Sequence, residues 1–126
     1  MNPFKYTVLL LFVISVMCTA CNPNPAGNQE KHIRIIKGLY SYGPEIKSFT
    51  DCDEGREYWV ADSAKTLELA YSKFNFEKPY EPVYIEAECH MIKSDSLVVS
   101  ADFDSTLVVT KLIKITKAIP DGPCNP

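Results

Sequence analysis

Across residues 32–119 the chain is written in short runs rich in branched and aromatic side chains, and the apolar spacing changes from two to three and four just once. That single interruption restricts the chain to small, mainly β folds that accommodate one helix. Before it come "HIRIIKGLYSY" (32–42), closed by Gly43-Pro44, then "EIKSFTDC" (45–52) and "REYWVA" (56–61). The last two are joined by "DEG" (53–55), with glycine at the end as a bulged hairpin prefers. In the interruption, Ala64, Leu67, Tyr71 and Phe74 recur on one side while Lys65, Glu68, Ser72 and Lys73 fill the other, predicting an amphipathic helix of about three turns. Asp62 or Ser63 stands where an N-cap would accept a hydrogen bond from an otherwise unpaired amide. "EKPYEP" (77–82) breaks the helix.

"VYIEAECHMI" (83–92) then alternates, with Val83, Ile85, Ala87, Cys89 and Met91 on one face and Glu86, Glu88 and His90 on the other, as a half-buried strand does. "LVVSADF" (97–103) reads equally as a strand or an ordered loop, and "TLVVTKLIKITKAI" (106–119) is long enough for a closing strand. The string predicts a mainly β fold, an OB-fold-like five-stranded antiparallel barrel with one helix between strands 3 and 4. An open sheet with the helix laid over one face satisfies the same order.

Upstream of this domain, Lys5 is the only early charge, and Val8 to Met17, "VLLLFVISVM", is apolar except for Ser15. Ten residues fall short of the roughly 20 that span a bilayer, and the run has no polar face to present to water as a core helix would. A charged start, a short apolar run and small residues before a cut describe a secretory signal. Thr19-Ala20 before Cys21 resembles the lipobox of bacterial lipoproteins, with Cys18 where leucine is commonest. That resemblance implies that Cys21 becomes the lipidated first residue, its acyl chains anchoring the protein without a spanning helix. "NPNPAGNQE" (22–30) has no Val, Ile, Leu or aromatic residue and reads as a tether. Asn22 rather than Asp after the cysteine favours the outer membrane, on its periplasmic or surface face. The expected organisation is a signal peptide over 1–20, a lipidated cysteine and tether over 21–31, and one domain over 32–126.

Several spaced features of that domain agree in order with a known family. The tyrosine-rich first strand, "FTDC" (49–52) followed by Gly55 and by Val60-Ala61, "LELAY" (67–71) in the helix, Pro82-Val83 opening the next strand and Cys124 near the end resemble the C-terminal OB domain of the NlpE lipoproteins. The resemblance runs from Gly38 to Cys124. It implies the barrel and a disulfide from the cysteine of "FTDC", Cys52, to the terminal one, Cys124. The family's N-terminal domain, with its own C-x-x-C, has no counterpart among these residues, so functions resting on that domain, copper handling included, are not implied.

With Cys18 discarded and Cys21 committed to lipid, Cys52, Cys89 and Cys124 enter an oxidising compartment, an odd number that predicts one pair and one spare. Cys89 sits mid-strand on the apolar face, Cys124 lies in the tail "PDGPCNP", and Cys52 ends a strand beside a turn that a returning tail could reach. Cys52 with Cys124 is the expected pair and Cys52 with Cys89 the alternative.

Composition narrows function by exclusion. The formal charge of −3 becomes −4 once Lys5 is removed with the signal, so there is no basic surface for nucleic acid. "ECHM" (88–91) offers soft-metal donors, but alternation sends Cys89 and Met91 to one face and His90 to the other, so no metal or cofactor is assigned, and a copper- or metal-handling lipoprotein using Cys89, His90 or Met91 stands as an alternative function. Carboxylates are scattered over turns, and "DCDEGRE" (51–57) reads as a solvated hairpin tip, so no catalytic constellation stands out. The candidate ligand contacts are surface aromatics: Tyr40 and Tyr42, which share a face, Trp59, which alternates against inward Tyr58 and Val60, and Tyr80 in its proline-bounded loop. Beyond the membrane reached through the anchor, they suit an envelope protein partner or a glycan.

Overall fold

The computed structural model describes residues 31–95 and 99–125. Strand β1, Arg34–Tyr42, follows its alternation: Ile36, Gly38 and Tyr40 turn inward while Ile35 and Lys37 stay exposed. The chain reverses at Gly43-Pro44, where the Gly43 amide donates to the Ile46 carbonyl at 3.0 Å. β2, Lys47–Asp51, lies unusually close to β1. A Cβ on Gly38 would stand 2.2 Å from the Thr50 carbonyl oxygen and 2.6 Å from the Phe49 ring, so only glycine fits at this approach.

The Asp51 carboxylate accepts amide hydrogen bonds from Asp53 and Glu54 at 2.9 and 3.1 Å, and Gly55 takes a φ of 67°. This side-chain turn delivers the chain into β3, Arg56–Asp62. β4 is Val83–Lys93 and β5 is Ser105–Thr116.

The strands close a barrel in the order β1-β2-β3-β5-β4. Four neighbours pair antiparallel, but β3 and β5 run parallel, with Trp59 beside Thr106 and Asp62 beside Val109. The expectation of a wholly antiparallel array is corrected here, and parity is the reason. Up and down cannot alternate around a closed ring of five, so one neighbour pair must be parallel.

β5 serves two partners by bending. Its pairing with β4 skips Ile113 between Lys114 and Leu112, and Thr110 between Lys111 and Val109. Each skip is a bulge that turns the strand. The Thr110 hydroxyl donates to the Glu88 carbonyl at 3.2 Å. β5 leaves β3 after Val109, at the second bulge.

The helix α1, Thr66–Ser72, lies between β3 and β4 and spans about two turns rather than three. It begins after Lys65, whose φ of 55° is left-handed, so neither Asp62 nor Ser63 is the capping residue itself. Both still tie down its start: Asp62 Oδ2 accepts from the Glu68 amide at 2.9 Å, and the Ser63 hydroxyl donates to the Val109 carbonyl at 2.8 Å. Leu67 and Tyr71 are buried, whereas Ala64 precedes the helix and is exposed. The inward positions of all five strands and these two helical residues make one core.

In β4, Val83, Ile85, Ala87 and Cys89 face that core as the alternation predicts. Three positions depart from it, the first being Tyr84, which is buried although it falls on the outer face with Glu86 and Glu88. Met91, near the strand's far end, is 39 % exposed although its register partner Leu107 is fully buried, and His90, expected in solvent, is only 7 % exposed. The stretch between β4 and β5 is a 3-10 turn at Val99–Asp102, not a strand. The first two residues of "LVVSADF" lie outside the described residues.

Candidate functional site

The barrel end that carries α1 is also where β1 finishes and β4 starts, since Tyr40 pairs with Val83. Here the aromatic rings converge. Tyr71 from α1 meets Tyr40 edge-on at 5.7 Å between centroids, Tyr42 at 5.6 Å and Phe76 at 5.2 Å, and Phe76 meets Phe74 at 5.7 Å. Lys117 lies over Phe76 at 4.6 Å, and Lys47 lies over Tyr42 at 5.6 Å while pairing with Glu68.

Between the β1–β2 turn and the segment after α1, three of these rings, Tyr42, Tyr71 and Phe76, border a groove of about 570 Å³. Tyr42 and Pro44 form one wall, Tyr71 and Phe76 another, and Asn75 and Lys78 supply polar groups. A concave site with apolar walls and a few polar groups suits a ligand better than a flat surface does.

The wall after α1 is held by backbone that costs energy. Asn75 and Tyr80 both take left-handed φ values, 49° and 67°, in a segment tied to its surroundings. The Tyr80 amide donates to the Tyr42 carbonyl at 3.0 Å, the Tyr80 hydroxyl accepts from the Glu45 amide at 3.3 Å, and the Tyr71 hydroxyl donates to the Glu81 carbonyl at 2.7 Å. Gly43 permits this closure, because a Cβ there would stand 2.2 Å from the Tyr80 ring.

Of the four aromatic candidates, the structure brings only Tyr42 to the groove. Tyr40 is a correction: it shares a face with Tyr42, but that face is the inner one, and its ring is wholly buried. Its hydroxyl has no hydrogen-bond partner among the described residues, and burial, with the Glu68 and Asp62 carboxylates adding, raises its pKa far above 10. Tyr80 is exposed at one edge, but its ring is spent against Gly43. Trp59 lies on the outer face of β3, half-buried, with Phe103 at 5.8 Å.

Tyr71 and Phe76 are the groove residues that sequence reasoning did not nominate. Tyr71 reads as helix core by its spacing, which is also true, since its ring is buried while one edge lines the groove. Phe76 follows the left-handed Asn75, and an Asn between two aromatics just past a helix is the available signal.

The cysteines occupy separate places. Cys52 and Cys124 form a disulfide with Cα atoms 4.9 Å apart, fastening the tail to the β2–β3 turn. Cys89 is free and buried inside the barrel, where burial pushes its thiol up against the opposing pull of Arg34. Cys89 faces inward and His90 outward, so these donors diverge, and no cluster of three or more His, Cys, Asp or Glu residues is positioned for a metal among the described residues. Cys21 lies outside the described residues.

Against known families, the model of the NlpE C-terminal OB domain matches residues 30–124. The chain belongs to this family. Among solved structures, the NlpE domain is similar to the Cpx pathway activator NlpE from Escherichia coli at 24 % identity and a TM-score of 0.53. The match covers 68 % of this chain and 40 % of that one, so the chain spans well under half of that protein. No curated protein matches. In this NlpE domain the disulfide and the groove lie at opposite ends of the barrel, because Cys52 follows the end of β2 that pairs with Gly38, while Tyr42 faces Lys47 at the other.

Proposed function

We propose that this chain is an outer-membrane-anchored lipoprotein whose single NlpE-type OB domain is a non-enzymatic binding module, seating an envelope protein partner in the groove between Tyr42 and Phe76. The groove carries the reading: rigid aromatic walls present large contact area at low conformational cost, and the strained backbone at Asn75 and Tyr80 fixes their placement. The solved relative is a Cpx pathway activator, which supports a role in envelope or surface-stress sensing for this domain too. The apolar run before Cys21 supports export and lipid attachment.

In-cell crosslinking from a photoreactive residue at position 76 tests the binding role. A discrete protein adduct that disappears in a Tyr42→Ala chain still folded by circular dichroism is the expected result. No adduct in envelope fractions contradicts it. Membrane fractionation of wild type against Cys21→Ser tests the anchor, and an unchanged distribution contradicts it.

A polysaccharide is the second reading, favoured by the polar Ser72, Asn75 and Lys78 set among aromatic rings. A glycan array probed with and without Phe76→Ala separates it from the first. Metal handling has less support, because Cys89 and His90 diverge.

A further inference from the structure

At the end of the barrel opposite the groove, the first residues of β1 carry exposed aliphatic side chains. Ile33 and Ile35 are 63 % and 60 % exposed, although each is branched and apolar and flanks the buried Ile36 side of the same strand. Ile35 pairs with Glu88 of β4, and Ile92, four residues further along that strand and so on the same face, is also exposed. Ile33 precedes the Arg34–Cys89 pair and so lies between them in register. Met91 is exposed beside them at the barrel mouth.

Three exposed lysines, Lys31, Lys37 and Lys93, flank this stripe, while the Arg34 guanidinium is turned to the Cys89 thiol. The nearest carboxylate on the stripe itself, Glu88, is engaged by Lys111 at 3.8 Å. Aliphatic side chains rimmed by Lys, whose stems can lie along apolar surface while their heads reach outward, match the boundary between acyl chains and anionic headgroups. Asp53 and Glu54 of the β2–β3 turn, and Asp95, Asp102 and Asp104 of the β4–β5 connection, are exposed at the same end and confine contact with an anionic surface to the side of the barrel where β1 starts.

The chain's own connectivity selects the occupant. Ile33 stands twelve residues after Cys21. Fully extended, twelve residues reach about 40 Å at most, so an acylated Cys21 keeps this end of the domain within roughly one domain diameter of the bilayer. No other exposed apolar group of the domain is so near the anchor in sequence.

We infer that Ile33, Ile35, Met91 and Ile92, with Lys31, Lys37 and Lys93, dock the domain on the lipid surface. The inference rests on the anchor reading above. Its consequence is orientation: the tether end faces lipid, and the aromatic groove faces away from the membrane towards a partner.

The test uses the full chain, exported and purified from cells, in vesicles of phosphatidylethanolamine with phosphatidylglycerol. A photoreactive residue is placed at position 35, at 92, or at 69 on α1, where Leu69 is equally exposed but lies at the groove end. Phospholipid adducts about tenfold more abundant at 35 and 92 than at 69 are expected. With the photoreactive residue at 92, Ile33→Asp combined with Ile35→Asp is expected to remove most of the adduct while leaving the near-ultraviolet circular dichroism of the wild type. Equal yields at all three positions overturn the docking yet leave the anchor standing, since the acyl mass on Cys21 is read from the same digest. A Cys21 peptide without acyl mass overturns both.

Discussion

At Gly38 and Tyr40, two residues apart on β1, opposite constraints on a side chain meet. Any side chain at Gly38 collides with backbone, because the Thr50 carbonyl oxygen cannot move aside as a flexible side chain would. Gly38→Ala is therefore expected to cost about 1–3 kcal/mol or more, lowering the melting temperature by at least about 5 °C. A melting curve within a degree or two of wild type would refute that close approach. Tyr40 is the reverse case, a residue with one atom too many. Its buried hydroxyl lacks a partner among the described residues, so Tyr40→Phe is expected to be neutral or to stabilise by about 1 kcal/mol in urea unfolding, and a clear loss would mean the hydroxyl is satisfied. The same residue sets an alkaline limit. Burial raises the Tyr40 pKa above the ordinary 10, and Tyr71 shifts the same way, so the folded state holds these protons more tightly than the unfolded chain. The stabilisation is complete below pH 10 and is lost as pH rises above it towards the folded-state values. Urea midpoints measured from pH 8 to 12 should fall above pH 10, less steeply in Tyr40→Phe; equal slopes would remove Tyr40 as the cause.

The elements differ in how far local pattern governs them. β1 follows its alternation from Ile35 to Tyr40, and β4 from Ile85 to Cys89, because one face of each meets a filled interior. α1 is shorter than its periodicity implies, since the φ of 55° at Lys65 starts it late and Asn75 ends the turn beyond it. Phe74 thereby packs against Phe76 instead of closing a third helical turn. The start of so short a helix depends on side chains from outside it. Asp62→Ala removes the acceptor of the Glu68 amide and is expected to cost about 1 kcal/mol, with faster hydrogen exchange in α1 than in β1. Uniform acceleration across the domain would assign the loss elsewhere. The bulges at Thr110 and Ile113 were not legible, because the β5 run carries no glycine to mark them. They arise from the need of one strand to leave β3 and continue along β4.

For the molecule as a whole, the Cys52–Cys124 disulfide closes a 72-residue separation over a domain with a small core. Replacing both cysteines by serine is expected to cost about 4 kcal/mol on the chain-entropy estimate, somewhat less if the reduced chain keeps residual structure. Equilibrium unfolding of the double variant measures it, and a loss below about 1 kcal/mol would make the bridge incidental to stability. The order of strands and helix, the inward set Val60, Ile85 and Ala87 and the Cys52–Cys124 pair were readable in advance, the pair partly through family resemblance. They depend on alternation, turn chemistry and cysteine placement, which are properties of neighbouring residues. The side of the sheet on which Tyr40 and Tyr42 fall, the burial of His90, the union of Tyr42, Tyr71 and Phe76 in one groove and the parallel β3–β5 pair were not. Local pattern says which side chains share a face. Only closure of the ring decides which face is inside, which distant rings meet at its end and, with five strands, that one pair must run parallel.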